Sequence, residues 1–158
     1  MSMNTKRRVF LKGSLAAGTA GVAVGAGLIA PQAVVAAWNE SAFKAKSIDD
    51  ALSAAMGSAS SDSSDAIKIK APDIAENGAV VPVSVTAEIP GAEAISIIAE
   101  KNASPLTASF VLGANTEAFV STRIKMGKTS SVIAVVKANG KLYSTGKEVK
   151  VTIGGCGG

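Results

Sequence analysis

The chain has 158 residues, 47% of them hydrophobic, with 16 basic and 12 acidic side chains, no histidine and one cysteine. The missing histidine removes the commonest general base and metal ligand, and a single cysteine excludes zinc clusters, iron–sulfur centres and a Cys-x-x-Cys redox pair. No Gly-x-Gly-x-x-Gly or phosphate-loop pattern follows a strand, and Glu88, Glu93, Glu100 and Glu117 read as solvated strand and turn residues, so the composition argues against a self-contained enzyme.

Residues 1–36 read as an export signal rather than part of the fold. Thr5-Lys6-Arg7-Arg8-Val9-Phe10-Leu11-Lys12 is similar to the bacterial twin-arginine motif, with Arg7 and Arg8 as the pair and Lys6 standing where Ser or Thr is more usual. An apolar stretch rich in Gly and Ala follows over 13–30, Pro31 breaks it, and the small residues to Ala36 and Ala37 suit cleavage. A membrane anchor is the competing reading; the Gly and Ala content favours a cleaved signal. The expected route is the twin-arginine translocase, which exports folded proteins, and the expected compartment is the periplasm. The segment holds four basic residues (Lys6, Arg7, Arg8, Lys12) and no acidic one, so what remains carries twelve of each sign. That balance leaves no basic field for nucleic acid.

About 120 residues then remain, enough for one core. A helical segment is expected over 37–57. Residues 38–46 read as a short amphipathic helix anchored by Trp38 and Phe43. Ser47 is an N-cap candidate with Asp50 three residues on, Ile48, Ala51, Leu52, Ala55 and Met56 follow at helical spacing, and Gly57 suits the C-cap. This apolar stripe is expected to pack on the domain. Residues 58–65 are rich in Ser and Asp and read as a polar loop.

From residue 66 the period changes to two. Ile67-Lys68-Ile69-Lys70 alternates; Val81, Val83, Val85 and Ala87 share a face, with Pro82 on the other suggesting an edge strand or bulge. Ile95, Ile97 and Ala99 alternate, as do Leu106, Ala108, Phe110 and Leu112, and Ala118, Val120, Thr122 and Ile124. Residues 132–136 are apolar on both faces, which predicts a strand covered on both sides, either a central core strand or one at a subunit interface. Asn139-Gly140 predicts a hairpin to 141–144. A last strand over 147–153 places Val149, Val151 and Ile153 on one face. About seven short strands predict a mainly β fold: an immunoglobulin-like antiparallel β-sandwich over 66–153. The Cys…Trp…Cys signature of true immunoglobulin domains is absent.

The chain ends Gly154-Gly155-Cys156-Gly157-Gly158. Glycine pairs resist joining a strand or helix, so residues 154–158 read as a flexible arm presenting Cys156. The lack of bulk beside the sulfur suits threading into a narrow channel. No basic residue lies within the arm to lower the thiol pKa, so a partner enzyme is expected to activate the thiol. One cysteine cannot form an intramolecular disulfide; it must pair with another chain, react with something small, or stay free.

A twin-arginine signal, a helical start, a β-sandwich and a terminal Gly-Gly-Cys-Gly-Gly together resemble the SoxY family, sulfur carriers of the periplasmic thiosulfate-oxidising Sox system. The resemblance implies that Cys156 carries intermediates covalently, as a cysteine S-thiosulfonate and then a persulfide. It implies a heterodimer with a SoxZ-type subunit, a haem-containing complex that attaches thiosulfate, and a dimanganese hydrolase that releases sulfate. The haem and manganese belong to those partners, and the chain itself needs no cofactor or metal. Two rival readings remain: an exported binding module that dimerises through a Cys156 disulfide, and a carrier using a thiocarboxylate at Gly158.

Overall fold

The computed structural model describes residues 39–152. The expected export signal, Trp38, Ile153 and the whole arm from Gly154 to Gly158 lie outside the described residues.

Two helices open the described chain. Helix α1 runs Glu40–Lys44, and its N-cap is Asn39, whose Oδ1 accepts the Ala42 amide at 3.1 Å. The helix is shorter than the expected 38–46, because Asn39 starts it and the backbone turns extended at Ala45 (ψ 144°). Helix α2 runs Ile48–Met56 between the two caps read from the sequence. Ser47 Oγ accepts the Asp50 amide at 3.1 Å, and Gly57 closes the helix in the left-handed conformation at φ 84°.

Nine strands follow among the described residues: β1 Asp62–Ser63, β2 Ile67–Lys70, β3 Ile74–Ala75, β4 Val81–Ala87, β5 Ala92–Ala99, β6 Leu106–Val111, β7 Phe119–Ile124, β8 Ser130–Ala138 and β9 Lys141–Val151. The larger sheet has the order β1-β9-β8-β5-β6, with β3 also paired to β9, and the smaller has the order β2-β4-β7. The fold is thus the expected mainly β, two-sheet sandwich with a short helical segment. Its main ladders are antiparallel, while β1 and β3 add short parallel ladders along β9. Neither short strand was legible: β1 lies in the expected loop over 58–65, and two-residue strands show no alternation.

The alternating positions meet between the sheets. Val81, Val83 and Val85 of β4 face Ile95 and Ile97 of β5 and Val132, Ala134 and Val136 of β8 in one buried cluster. The opposite side of the larger sheet is covered by the helices. Ala42, Ala51, Leu52 and Met56 pack on Ile98, Leu106, Val135 and Leu142. This second cluster explains why residues 132–136 are apolar on both faces: β8 sits between two layers.

Three expectations change. Leu106 does not share a face with Ala108, because a bulge at Ile97/Ile98 pairs Ile97 with Ala108 and Ile98 with Leu106, leaving Thr107 extra. That turns Leu106 toward the helices, while Ala108, Phe110 and Leu112 stay with the inter-sheet core. Pro82 sits in the middle strand of its sheet, not an edge strand. It is tolerated because β2 stops at Lys70, opposite Ser84, so Pro82 is paired only with Arg123 of β7. The hairpin turn is as expected, with Asn139 at φ 52° and Gly140 at φ 74°. The strand after it, however, runs unbroken through Gly146 to Val151.

Candidate functional site at the end of the last strand

Cys156, the flanking Gly154, Gly155, Gly157 and Gly158, and the export pair Arg7 and Arg8 lie outside the described residues. The structure does describe the ground from which the terminal segment departs, the end of β9.

Strand β9 is flanked on both sides almost to its end. On one side β8 pairs with it as far as Ser130 opposite Val149. Beyond that point Thr129 takes over: its Oγ1 accepts the Val151 amide at 2.9 Å and donates to the Val151 carbonyl at 3.4 Å. On the other side β3 places Ile74 beside Lys150 and Ala75 beside Val151. The Lys150 amide donates to Asp73 O at 3.0 Å, and the Thr152 amide to Ala75 O at 3.1 Å. The backbone is therefore held on both edges to Val151 and by one bond more at Thr152.

A layer beneath supports this ladder. Lys147 Nζ lies 3.0 Å from Asp73 Oδ1 and donates to Ala71 O at 2.7 Å, tying β9 to the segment that leads into β3. Gly78 then lets that segment pass close to the rest of the end: a Cβ there would overlap the Met126 carbonyl oxygen and stand 2.7 Å from Val151 Cγ1. The Met126 amide donates to Gly78 O at 2.7 Å, and Met126 itself is buried. Asn77 shapes the turn by accepting the Ala79 amide on its Oδ1 at 2.9 Å.

Among the described residues no three His, Cys, Asp or Glu side chains converge to hold a metal ion, and no helix is long and apolar enough to cross a membrane. The carboxyl of Glu88 is held below its ordinary value, by the hydrogen bond from Lys68 and then by its charge. That pair joins β2 to the segment after β4, at the other end of the sandwich from Val151. A cleft of about 780 Å³ lies at that far end too, between the segments around Ile89, Leu112 and Asn139. Its lining includes Glu88 and Glu93. Sequence reasoning missed Thr129, the Asp73–Lys147 pair and the close approach at Gly78. Only Asn77-Gly78 carried a local signal, as a turn dipeptide.

The family described as "Sulfur oxidation protein SoxY" matches residues 52–156. Among solved structures, the sulfur carrier protein SoxY from Chlorobium limicola f thiosulfatophilum is 52% identical, with 66% of this chain and 96% of that chain covered and a TM-score of 0.61. Two remoter likenesses carry no argument. One is a chain from a study of T cell specificity and activation by the bacterial superantigen toxic shock syndrome toxin-1, 8% identical over 54% of this chain and 99% of that one, TM-score 0.39. The other is the human F-spondin reeler domain, 15% identical over 58% of this chain and 92% of that one, TM-score 0.36. No curated protein sequence matches. The family match runs from Leu52, inside α2, through the whole sandwich to the single cysteine, and the chain belongs to the SoxY family of sulfur oxidation proteins.

Proposed function

We propose that this chain is a covalent sulfur carrier in thiosulfate oxidation, with Cys156 as the attachment point. The observation that carries the reading is the family match, which runs to residue 156, the chain's one cysteine. The geometry adds a second support. The ladder holds the backbone to Thr152, and four extended residues from there give the sulfur a reach of about 14 Å. A thiol on so short a tether has a defined origin on a rigid sheet. Its bulk-free neighbours Gly155 and Gly157 suit entry into a narrow channel.

In this reading the Cys156 thiolate and thiosulfate join through a new S–S bond, and the two electrons released pass to a haem-containing partner. Hydrolysis of the resulting S-thiosulfonate by a dimanganese partner consumes water, releases sulfate and two protons, and leaves a persulfide anion on Cys156. Tethering keeps the reactive sulfur at high effective concentration through both steps. The chain is then a substrate of its partners and not a catalyst. It works in the periplasm after twin-arginine export, paired with a SoxZ-type subunit.

The test is intact mass spectrometry of the protein taken from the periplasm of cells given thiosulfate, with and without reductant. Adducts of sulfur, or of sulfur with three oxygens, that reductant removes and that Cys156→Ser lacks are expected. An unmodified chain or a plain disulfide dimer, with active partners present, refutes the reading. Adducts that persist in Cys156→Ser but vanish when Gly158 is deleted would point to a terminal thiocarboxylate instead.

A further inference from the structure

The end of the sandwich that bears Val151 also carries Lys101, Lys125 and Lys128, which make no ion pair among the described residues. Strand β5 ends at Ala99 opposite Val132, close to where β8 begins beside Val149. The turns at 100–105 and 125–129 therefore sit at the same end as the terminal strand. They enclose a cleft of about 550 Å³ lined by Lys101, Asn102, Ser104, Lys125, Gly127 and Lys128.

The cleft is held in shape by one side chain. Asn102 Nδ2 donates to Lys125 O at 2.7 Å, and its Oδ1 accepts the Gly127 amide at 3.0 Å. Asn102 thereby staples the two turns across the cleft, and Lys46 Nζ reaches Ser104 Oγ at 3.3 Å from the helical side. The three ammonium groups of Lys101, Lys125 and Lys128 are exposed on this frame. The ion pairs among the described residues are Glu40–Lys44, Lys68–Glu88 and Asp73–Lys147, and none involves these three. Glu100 is the acidic neighbour in sequence and makes no ion pair with them. Lys128 precedes Thr129, the residue that bonds both backbone groups of Val151.

Like charges held close together repel, and among the described residues no carboxylate pairs with these three. The described residues hold as many acidic as basic groups, so this is a matter of placement and not of composition.

We propose that Lys101, Lys125 and Lys128 form a docking rim for the acidic margin of the channels through which partner enzymes receive the terminal cysteine. The proposal rests on the carrier reading of Cys156. The lysines are exposed on flexible stems, with no buried donor converging on a point, which suits a protein surface better than a small oxyanion. A rim beside Val151 aligns the tether with a channel mouth before the thiol enters. Complementary charge of this kind acts mainly on the rate of encounter.

The experiment compares full-length wild type with the K101E/K125E/K128E and K101Q/K125Q/K128Q variants. Loading by the thiosulfate-attaching partner is followed by intact mass, at low ionic strength and in high salt. Alkylation of Cys156 by a small neutral reagent serves as the control. The expected result is a loading rate about tenfold or more lower for the Glu variant at low salt, an intermediate loss for the Gln variant, and convergence of all three in high salt. Alkylation stays equal. Equal loading rates at every salt concentration overturn the docking rim. So does a defect that is rescued by raising thiosulfate but not by raising partner concentration, together with saturable thiosulfate binding to the isolated wild type; that pattern assigns the cleft to a small anion. Wild type that alkylates at Cys156 but never loads overturns the carrier reading itself, and the rim's role with it.

Discussion

Replacing Gly78 with alanine tests whether the end of β9 is held as tightly as its bonds indicate. The added Cβ would overlap the Met126 carbonyl oxygen and lie 2.7 Å from Val151 Cγ1. Carbon atoms pack at about 3.5–4.0 Å, so the segment must retreat by about 0.8 Å or more. The oxygen is backbone and has no rotamer to escape into. Overpacking of this kind costs about 1–3 kcal/mol. The retreat also lengthens the 2.7 Å bond from the Met126 amide to Gly78 O, worth about 1 kcal/mol net. The lower backbone entropy of alanine in the unfolded chain offsets about 0.4–1 kcal/mol. The net expectation is a loss of about 1.5–3 kcal/mol, or a Tm lower by about 6–12 °C in a domain of this size. Thermal unfolding followed by circular dichroism measures it. Amide exchange at Val151 and Thr152 should quicken in step, because the displaced segment carries Ala75, the acceptor for Thr152. A Tm within about 1 °C of wild type, with unchanged exchange at those two amides, would refute the reasoning.

Leu52→Ala is expected to cost about 2–4 kcal/mol in denaturant unfolding, since Leu52 is 3% exposed in the cluster that covers the outer face of the larger sheet; a loss under about 1 kcal/mol would mean the helix is not docked there in solution. Ser130→Ala should leave stability unchanged or raise it by up to about 1 kcal/mol, because the Ser130 hydroxyl is buried without a hydrogen-bond partner. A clear fall in Tm would show that the hydroxyl is satisfied after all. Glu88 should titrate below 4.5 in an NMR pH series, because Lys68 bonds to it at 2.7 Å and favours its ionised form. The folded value is the lower one, so the pair's contribution is present above the ordinary glutamate range and lost as pH falls through the folded value. It is small, both side chains being well exposed, and Lys68→Met should return the Glu88 midpoint to its ordinary range.

What the sequence showed was what short-range chemistry decides. Ser47 and Gly57 bounded α2 because caps act within one turn, and Asn139-Gly140 set the hairpin because two adjacent left-handed residues suffice. The two-sided apolar run of β8 announced a layer on each side, and the stripe of α2 supplied one of them. What stayed hidden depends on partners distant in sequence. Leu106 reads as in phase with Ala108, and only pairing against β5 shows the extra residue between them. Pro82 reads as an edge residue, and only the early end of β2 shows why a middle strand accepts it. Residues 74–75 have no period to detect at all, yet they close the free edge of β9. At the candidate site, the lone cysteine and its glycines were legible as composition. Thr129 and Gly78 were not, since a threonine after a lysine and a glycine after an asparagine occur in countless loops.

The order of residue types at the end of the chain suits a division between holding and presenting. Val149 and Val151 are β-branched and pair within the sheet, and Thr152 adds a last backbone bond. Such residues favour the extended backbone and pack well on a pleated face. Glycine begins at position 154, where the conformational cost of ordering is highest. A carrier benefits from a sharp boundary of this kind. On the proposed carrier reading, a ladder that ended several residues earlier would let the thiol sample a larger volume and lower its effective concentration at a channel mouth. If it ran further, the reach would shrink by about 3.4 Å for each residue paired. Two short elements, the two-residue strand β3 and the turn at Thr129, fix that boundary from either side of β9. Their shortness is consistent with the task, because they need to secure only the last two or three residues before the tether begins.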